Sequence, residues 1–234
     1  MRVLQFSGGK DSLACLYLLK SRWDEITVVW VNTGAAFPET IAQMAEVRSM
    51  VPNFVEIRSE QSIEREGYPV DVLPIASTGL GQQFEGTQGR KFQSRYACCG
   101  AALWAPTQFA MKQLGASVII RGQKKADARK SNIASGTVIE GVRYEFPLED
   151  WTDQNVIDYL ASRGVALPPN YDYMKTGLDC WNCTAYLNEN VGKFDYMRQH
   201  HPEKHAIVQD VLADLQQALH RDLAPLRDIK ASYS

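Results

Sequence analysis

No run of apolar residues reaches the roughly 18 positions that a spanning helix needs, so the sequence predicts no membrane-crossing segment. A signal-peptide pattern is missing from the opening as well. The apolar stretch Val3-Leu4-Gln5-Phe6 is short and runs straight into Ser7-Gly8-Gly9-Lys10, which leads to the expectation of a cytoplasmic protein. Charge of one sign is also lacking: 25 Lys and Arg face 27 Asp and Glu, a formal net charge of −2, so no global basic field is left to coat a polyanion. Cysteine is scarce and odd in number, five residues at 15, 98, 99, 180 and 183, which argues against a secreted disulfide framework and for metal ligation in a reducing compartment. Disorder-class composition is absent too, because 45% hydrophobic and 22% charged residues supply a packed interior for one large domain.

The chain opens as a βαβ unit. Residues 2–6 and 26–31 are β-branched and aromatic runs of the kind that form buried parallel strands, and Asp11–Lys20 between them carries apolar residues at helical spacing. A helix from Pro38 to about Val51 and a third strand, Phe54–Ile57, follow. From Ser59 to Arg95 glycines break any period, which predicts a long irregular or mobile segment. Beyond it the sequence predicts a helix through Ala101–Leu114, a strand Ser117–Arg121 and a basic loop from Lys124-Lys125 to Lys130. A helix capped by Thr152 and an amphipathic stretch, Ile207–Leu219, close the pattern.

Ser7-Gly8-Gly9-Lys10-Asp11-Ser12 lies where the first strand gives way to the first helix. Glycines there let backbone amides approach a ligand, and a helix N-terminus carries about +0.5 of a charge, so phosphate oxygens are the natural occupant. Ser7, Lys10 and Ser12 add donors, and Asp11 is placed to hold Mg2+ against a polyphosphate. A bare Gly-Gly turn would merely connect two elements; the full hexapeptide at this junction says more. Cys98-Cys99 and Cys180-Trp181-Asn182-Cys183 form the second constellation, able to supply four thiolates to one site. Zinc and an iron–sulfur cluster are both permitted, as are a buried inert pair and a labile disulfide. Vicinal cysteines diverge, which favours a [4Fe–4S] cube with separate iron corners over one small tetrahedral ion. Lys124, Lys125, Arg129 and Lys130, with Arg121, read as a clamp for phosphate or sulfate, or else as a solvated charge run. Cys15 reads as a packed small hydrophobe, and His200, His201 and His205, split by Pro202, as an exposed turn.

The hexapeptide resembles the PP-loop of the ATP pyrophosphatases, and Asn32-Thr33-Gly34 through Thr40 is similar to the segment beside the adenosine in the phosphoadenylyl-sulfate (PAPS) and adenylyl-sulfate (APS) reductases. A Cys-Cys pair, a long gap and Cys-x-x-Cys-Thr, here ending Cys183-Thr184, resemble the iron–sulfur APS reductases and their relatives, as do Pro147-Leu148 and Trp151-Thr152. The resemblance implies an α/β fold, a doubly wound and mainly parallel sheet with flanking helices. It implies a nucleotide held by Ser7, Gly8, Gly9, Lys10, Asp11, Ser12, Asn32, Thr33, Gly34, Gly122, Lys124, Lys125 and Arg129, with Lys10, Asp11 and Lys124 catalytic. It further implies a [4Fe–4S] cluster on Cys98, Cys99, Cys180 and Cys183, near the nucleotide's phosphate or sulfate.

Two departures set the expected chemistry. The reductases attack their substrate with a cysteine near the C-terminus, and after Cys183 this chain has none. The loop is intact where reductases tend to degrade it, and Ala102-Leu103 stands where the APS enzymes have Arg-Lys after the Cys pair. The expectation is therefore an enzyme that cleaves ATP to AMP and pyrophosphate to adenylylate a substrate in sulfur transfer. The alternatives are an APS or PAPS reductase that borrows a thiol from a partner, and a non-catalytic nucleotide-binding regulatory module. A sulfur donor is a further expected partner, and nucleic acid is expected only as an acceptor, through the basic loop with Arg90, Lys91 and Arg95. Within a single domain, 1–150 is expected as the nucleotide-binding core and 151–234 as a helical region that completes the cluster site.

Overall fold

A computed structural model describes residues 1–127, 130–189 and 191–232. In chain order the first elements are β1 (Arg2–Gln5), α1 (Lys10–Leu18), β2 (Ile26–Asn32), α2 (Pro38–Met50) and β3 (Phe54–Arg58). Then come α3 (Ile63–Glu66), β4 (Tyr68–Val70), α4 (Gly79–Glu85), β5 (Phe92–Ser94), α5 (Arg95–Cys99) and α6 (Ala105–Gln113). The chain continues with β6 (Val118–Ile120), β7 (Val138–Ile139), β8 (Val142–Glu145), α7 (Asp153–Ser162), α8 (Val191–His200) and α9 (Pro202–Ser232). They sort into two compact units, one of 1–59 with 105–178 and one of 60–104 with 179–234.

The first unit is built on a six-stranded sheet in the order β3-β2-β1-β6-β8-β7, parallel throughout except where β7 runs antiparallel to β8. Its central strands bury both faces. Leu4, Val28 and Ile120 pack with Leu13, Leu16, Val47, Val156 and Leu160 of α1, α2 and α7 on one side, while Val3, Val29 and Ile119 meet Met111 of α6 on the other. Leu4, Leu16, Ile119, Ile120 and Leu160 are essentially solvent-free, each worth about 1.5–3 kcal/mol of burial. The doubly wound expectation holds. Strand order reverses beside β1, with β2 on one side and β6 on the other, so the crevice at the C-terminal ends of β1 and β6 is the topological switch point where ligands enter such sheets.

The expected division at residue 150 is replaced by an interleaved one. The capping box of Thr152 with Asn155 starts α7, and Val156 and Leu160 then join the sheet's own core, which keeps 151–178 with the first unit. The expectation of an irregular stretch at 59–95 is corrected in the same way. β4 and β5 pair in parallel there, Val70 and Phe92 bury against Val211, Leu215 and Ala218 of α9, and Gly86 ends α4 in the left-handed conformation. Glycines punctuate short elements here rather than abolishing them. Among the described residues no helix is long and apolar enough to cross a membrane.

Candidate functional site

The glycine loop leaves β1 after Phe6 and enters α1 at Lys10, so its amides sit at the switch point. Gly8 has φ +83°, a left-handed turn that only glycine makes without strain. Gly9 is the N-cap, and no side chain caps the helix. Ser12 Oγ donates to Gly9 O at 2.9 Å and lies 3.3 Å from Ser7 Oγ, which fixes both hydroxyls within the loop. The Lys10 amide donates to the Tyr171 hydroxyl at 2.6 Å. Beside it Ser7, Gly8, Glu39, Gln43, Asn170 and Tyr171 line a cavity of about 10 Å³, room for about one water. The Tyr171 hydroxyl thus occupies the Lys10 amide that an anion in this cradle would meet.

Beneath the loop two lysines are turned inward. Lys10 is 6% exposed and Lys124 only 2%. Lys124 Nζ lies 2.7 Å from Asp11 Oδ1, 3.0 Å from Asp127 Oδ1 and 3.3 Å from Asp153 Oδ1. Lys10 Nζ lies 2.8 Å from Asp153 Oδ1 and 3.4 Å from Asp11 Oδ2. Burial disfavours the Lys124 ammonium, but attraction to Asp11 and Asp127 wins and pushes its pKa up, so it stays charged. Lys10 comes first among the influences that hold the Asp153 carboxyl below the usual carboxylate range. Lys124 Nζ and Asp11 Oδ1 are both withdrawn from solvent, so the 2.7 Å ion pair between them is buried at the atoms that make it. Gly122 lets this happen: a Cβ there would stand 2.6 Å from the Asp11 carbonyl carbon, so only glycine lets the end of β6 pass under α1.

The remaining residues expected to hold a nucleotide take quieter structural roles. Asn32 donates to Glu56 Oε1 at 2.9 Å and accepts from the Gly34 amide at 3.0 Å, so its side chain holds the turn after β2. Thr33 is buried in that turn, and Gly34, at φ +79°, faces open space. Lys125 is mostly exposed and paired with Asp150, and Arg121 lies over the Tyr144 ring, so among the described residues of the expected cationic loop only Lys124 reaches the carboxylates under the glycine turn. Arg129 lies outside the described residues. Asp127, Asp153 and Tyr171 are the residues the sequence reading missed. Asp153 had one signal, its place in the first turn after the Thr152 cap, but spacing does not say that it turns toward Lys10.

The four paired cysteines all belong to the second unit. Cys99 and Cys180 pack with buried Cys183, Ala185 and Tyr186, and none of the four is in a disulfide. Burial, then the nearby Cys99, Cys180 and Cys183, push the Cys98 thiol up to about 12, and burial pushes Cys183 up to about 11. The Tyr186 hydroxyl lies 3.6 Å from Cys99 Sγ. Among the described residues no three His, Cys, Asp or Glu side chains are grouped closely enough to hold a single metal ion. The four thiols thus share one neighbourhood of the second unit. Cys15, wholly buried with its thiol pushed up to about 12, belongs to the sheet's core. His200 and His201 stack on Tyr196 where α8 meets α9, and Lys204 sits over Trp181. Arg90 pairs with Asp214 and Arg95 with Asp71, which neutralises two of the cations expected to meet nucleic acid.

Comparison with known proteins adds the decisive observation: the profile of the phosphoadenosine phosphosulfate reductase domain matches residues 2–186. The chain belongs to that family. Among curated members of the reductase family, phosphoadenosine 5'-phosphosulfate reductase of Proteus mirabilis (strain HI4320) is 25% identical over 179 residues, 75% of this chain and 68% of that protein. Adenosine 5'-phosphosulfate reductase of Deinococcus radiodurans is 27% identical over 162 residues, 67% of this chain and 56% of that protein. The crystal structure of phosphoadenylyl-sulfate (PAPS) reductase from Candida auris, a phosphate complex, superposes with a TM-score of 0.50 at 16% identity, covering 73% of this chain and 76% of that one. That likeness agrees with the parallel sheet described above.

Proposed function

We propose that this member of the reductase family binds ATP at the Ser7–Ser12 loop and cleaves it between the α and β phosphates, adenylylating an acceptor for sulfur transfer. The observation that carries the reading is the buried Lys124 ammonium, held by Asp11 and Asp127 beneath an intact glycine loop at the sheet's switch point. An acceptor oxygen or sulfur attacks the α phosphorus, the bond from that phosphorus to the bridging oxygen breaks, and pyrophosphate leaves with the electron pair. Loop amides, the α1 N-terminus and the ammonium groups of Lys10 and Lys124 face the charge that grows on the leaving pyrophosphate. Lys124 exchanges part of its attraction to Asp11 and Asp127 for a phosphate oxygen, and the Tyr171 hydroxyl yields the Lys10 amide.

Mg2+ is the expected companion of the nucleotide: Asp11 is the carboxylate that would meet it, and the ion would neutralise phosphate charge. Cys98, Cys99, Cys180 and Cys183 would hold a [4Fe–4S] cluster, which would supply a local anionic field and a structural clasp. A second reading, an APS or PAPS reductase drawing its thiol from a partner, is supported by the reductase names of the curated relatives and by the lack of any cysteine after Cys183. The test is anaerobic incubation of the full chain with labelled ATP, APS or PAPS. Pyrophosphate released from ATP, and lost in Asp11→Asn, is the expected result. Sulfite released from APS or PAPS only with an added dithiol protein would select the second reading, and binding without any product would leave a regulatory nucleotide module.

A further inference from the structure

Lys193 lies in the first turn of α8 and is wholly buried. Its Nζ donates to the carbonyl of Cys180 at 2.8 Å and to that of Cys183 at 3.2 Å, so one ammonium grips both ends of the Cys-Trp-Asn-Cys turn. Among the described residues no Asp or Glu stands at ion-pair distance from it. Two features make this an expensive arrangement. A buried ion without a counter-charge costs several kcal/mol, and a cation in the first turn opposes the helix dipole. The carbonyls satisfy its hydrogens but bring no net negative charge. Within the turn itself, Cys180 to Cys183, the side chains able to carry negative charge are the two thiols, and the Asp179 carboxylate before it acts on Cys183 without standing at ion-pair distance from Lys193.

We infer that Lys193 is the positioning and charge-compensating residue of the cysteine site, an inference that rests on the cluster reading above. Four thiolates around a dicationic iron–sulfur core leave a net dianion, and reduction by one electron leaves a trianion. An ammonium held on the backbone of two of the ligands stabilises both states, the reduced one more, and fixes the spacing of Cys180 and Cys183 before iron arrives. The Tyr186 hydroxyl, 3.6 Å from Cys99 Sγ, would donate to that sulfur once it is a thiolate.

The experiment is anaerobic reconstitution of the full chain with ferrous iron and sulfide, for wild type, Lys193→Met, Lys193→Gln and Lys193→Arg. Three quantities are read: iron and acid-labile sulfide per chain, midpoint potential by spectroscopic redox titration, and the rate of iron loss to a ferrous chelator. Lys193→Met is expected to lose iron about tenfold faster, at the low end of what outer-shell substitutions do to metal affinity. Its midpoint potential falls, and Lys193→Arg restores both quantities toward wild type. Lys193→Gln keeps a donor for the carbonyls without the charge, so its potential falls as well; a residue that merely pinned the turn would leave the potential unmoved. Unchanged potential and iron loss in Lys193→Met overturn the inference, and if that variant does not fold, the same result in Lys193→Gln does so. A wild-type chain that takes up zinc or no iron overturns the cluster reading and this inference together, which separates the two failures.

Discussion

Gly122→Ala isolates the contact on which the nucleotide site is built. The added Cβ would stand 2.6 Å from the Asp11 carbonyl carbon, 2.7 Å from its oxygen and 2.9 Å from the Ser12 nitrogen, all backbone atoms of the first turn of α1. Ordinary contact begins at 3.4 Å, so α1 and the end of β6 must separate by about 0.8 Å. Overpacking of this kind costs about 1–3 kcal/mol. At ~2–4 °C per kcal/mol for a chain of this size, Tm falls by roughly 2–12 °C. Because the displaced turn carries Asp11 and the loop amides, ATP affinity measured by calorimetry falls with it. Gly9→Ala supplies the contrast: its Cβ meets nothing closer than Ser7 Oγ at 3.5 Å and the Tyr171 hydroxyl at 3.7 Å. That variant should keep its stability within about 1 kcal/mol and lose only the close approach of phosphate. A Gly122→Ala protein with wild-type Tm and wild-type ATP affinity, or one more stable than Gly9→Ala, would refute the reasoning.

Removing the hydroxyl in Tyr171→Phe frees the Lys10 amide for phosphate; at about 0.5–1.5 kcal/mol for one hydrogen bond, pyrophosphate should bind about two- to tenfold tighter, and weaker binding would show that Tyr171 contacts the ligand instead. Asp71 accepts from the Leu187 and Tyr186 amides and from Arg95, and although partial burial acts in the other direction these contacts hold its carboxyl below its ordinary value of 3.8. A depressed folded-state value means stability present above the ordinary value and lost as pH falls through the lower one, so the Tm gap between wild type and Asp71→Asn should close in acid; a gap constant down to low pH would sink the assignment.

The parallel sheet was legible because strands buried on both faces read as continuous β-branched runs, and the βαβ start because Ser7–Ser12 changes the period from two to helical. Segment 59–95 was not legible. β4 and β5 are three residues each, too short to show alternation, and they are held by apolar residues of α9 more than a hundred positions away. The direction in which side chains turn hid the charges of the site. Lys124 read as part of a basic run because its neighbours are Lys125 and Lys130, yet Asp11, Asp127 and Asp153 draw it inward. Cysteine pairing was visible as spacing, while the lysine that grips the Cys180–Cys183 turn gave no signal, since a lysine near a helix start ordinarily points to water.

Buried lysines now separate into two kinds with opposite expected behaviour. Lys124 stands among three carboxylates, so the ligand-free protein already balances its charge, and Lys124→Met leaves Asp127 without its ammonium and Asp11 with Lys10 alone. Breaking a buried pair costs ~3–5 kcal/mol, and ~3 kcal/mol is expected here because the Asp11 and Asp127 side chains remain 26% and 28% exposed. Lys193 has no carboxylate to strand, so Lys193→Met removes a buried charge together with two hydrogen bonds and should cost the metal-free protein less than Lys124→Met does. With iron bound the loss at Lys193 grows, because the thiolates have become its counter-charge. Urea denaturation of both variants, with and without reconstituted iron, reads this ordering directly. If Lys193→Met is the more costly in the metal-free protein and iron leaves its cost unchanged, Lys193 is only a strut for the turn.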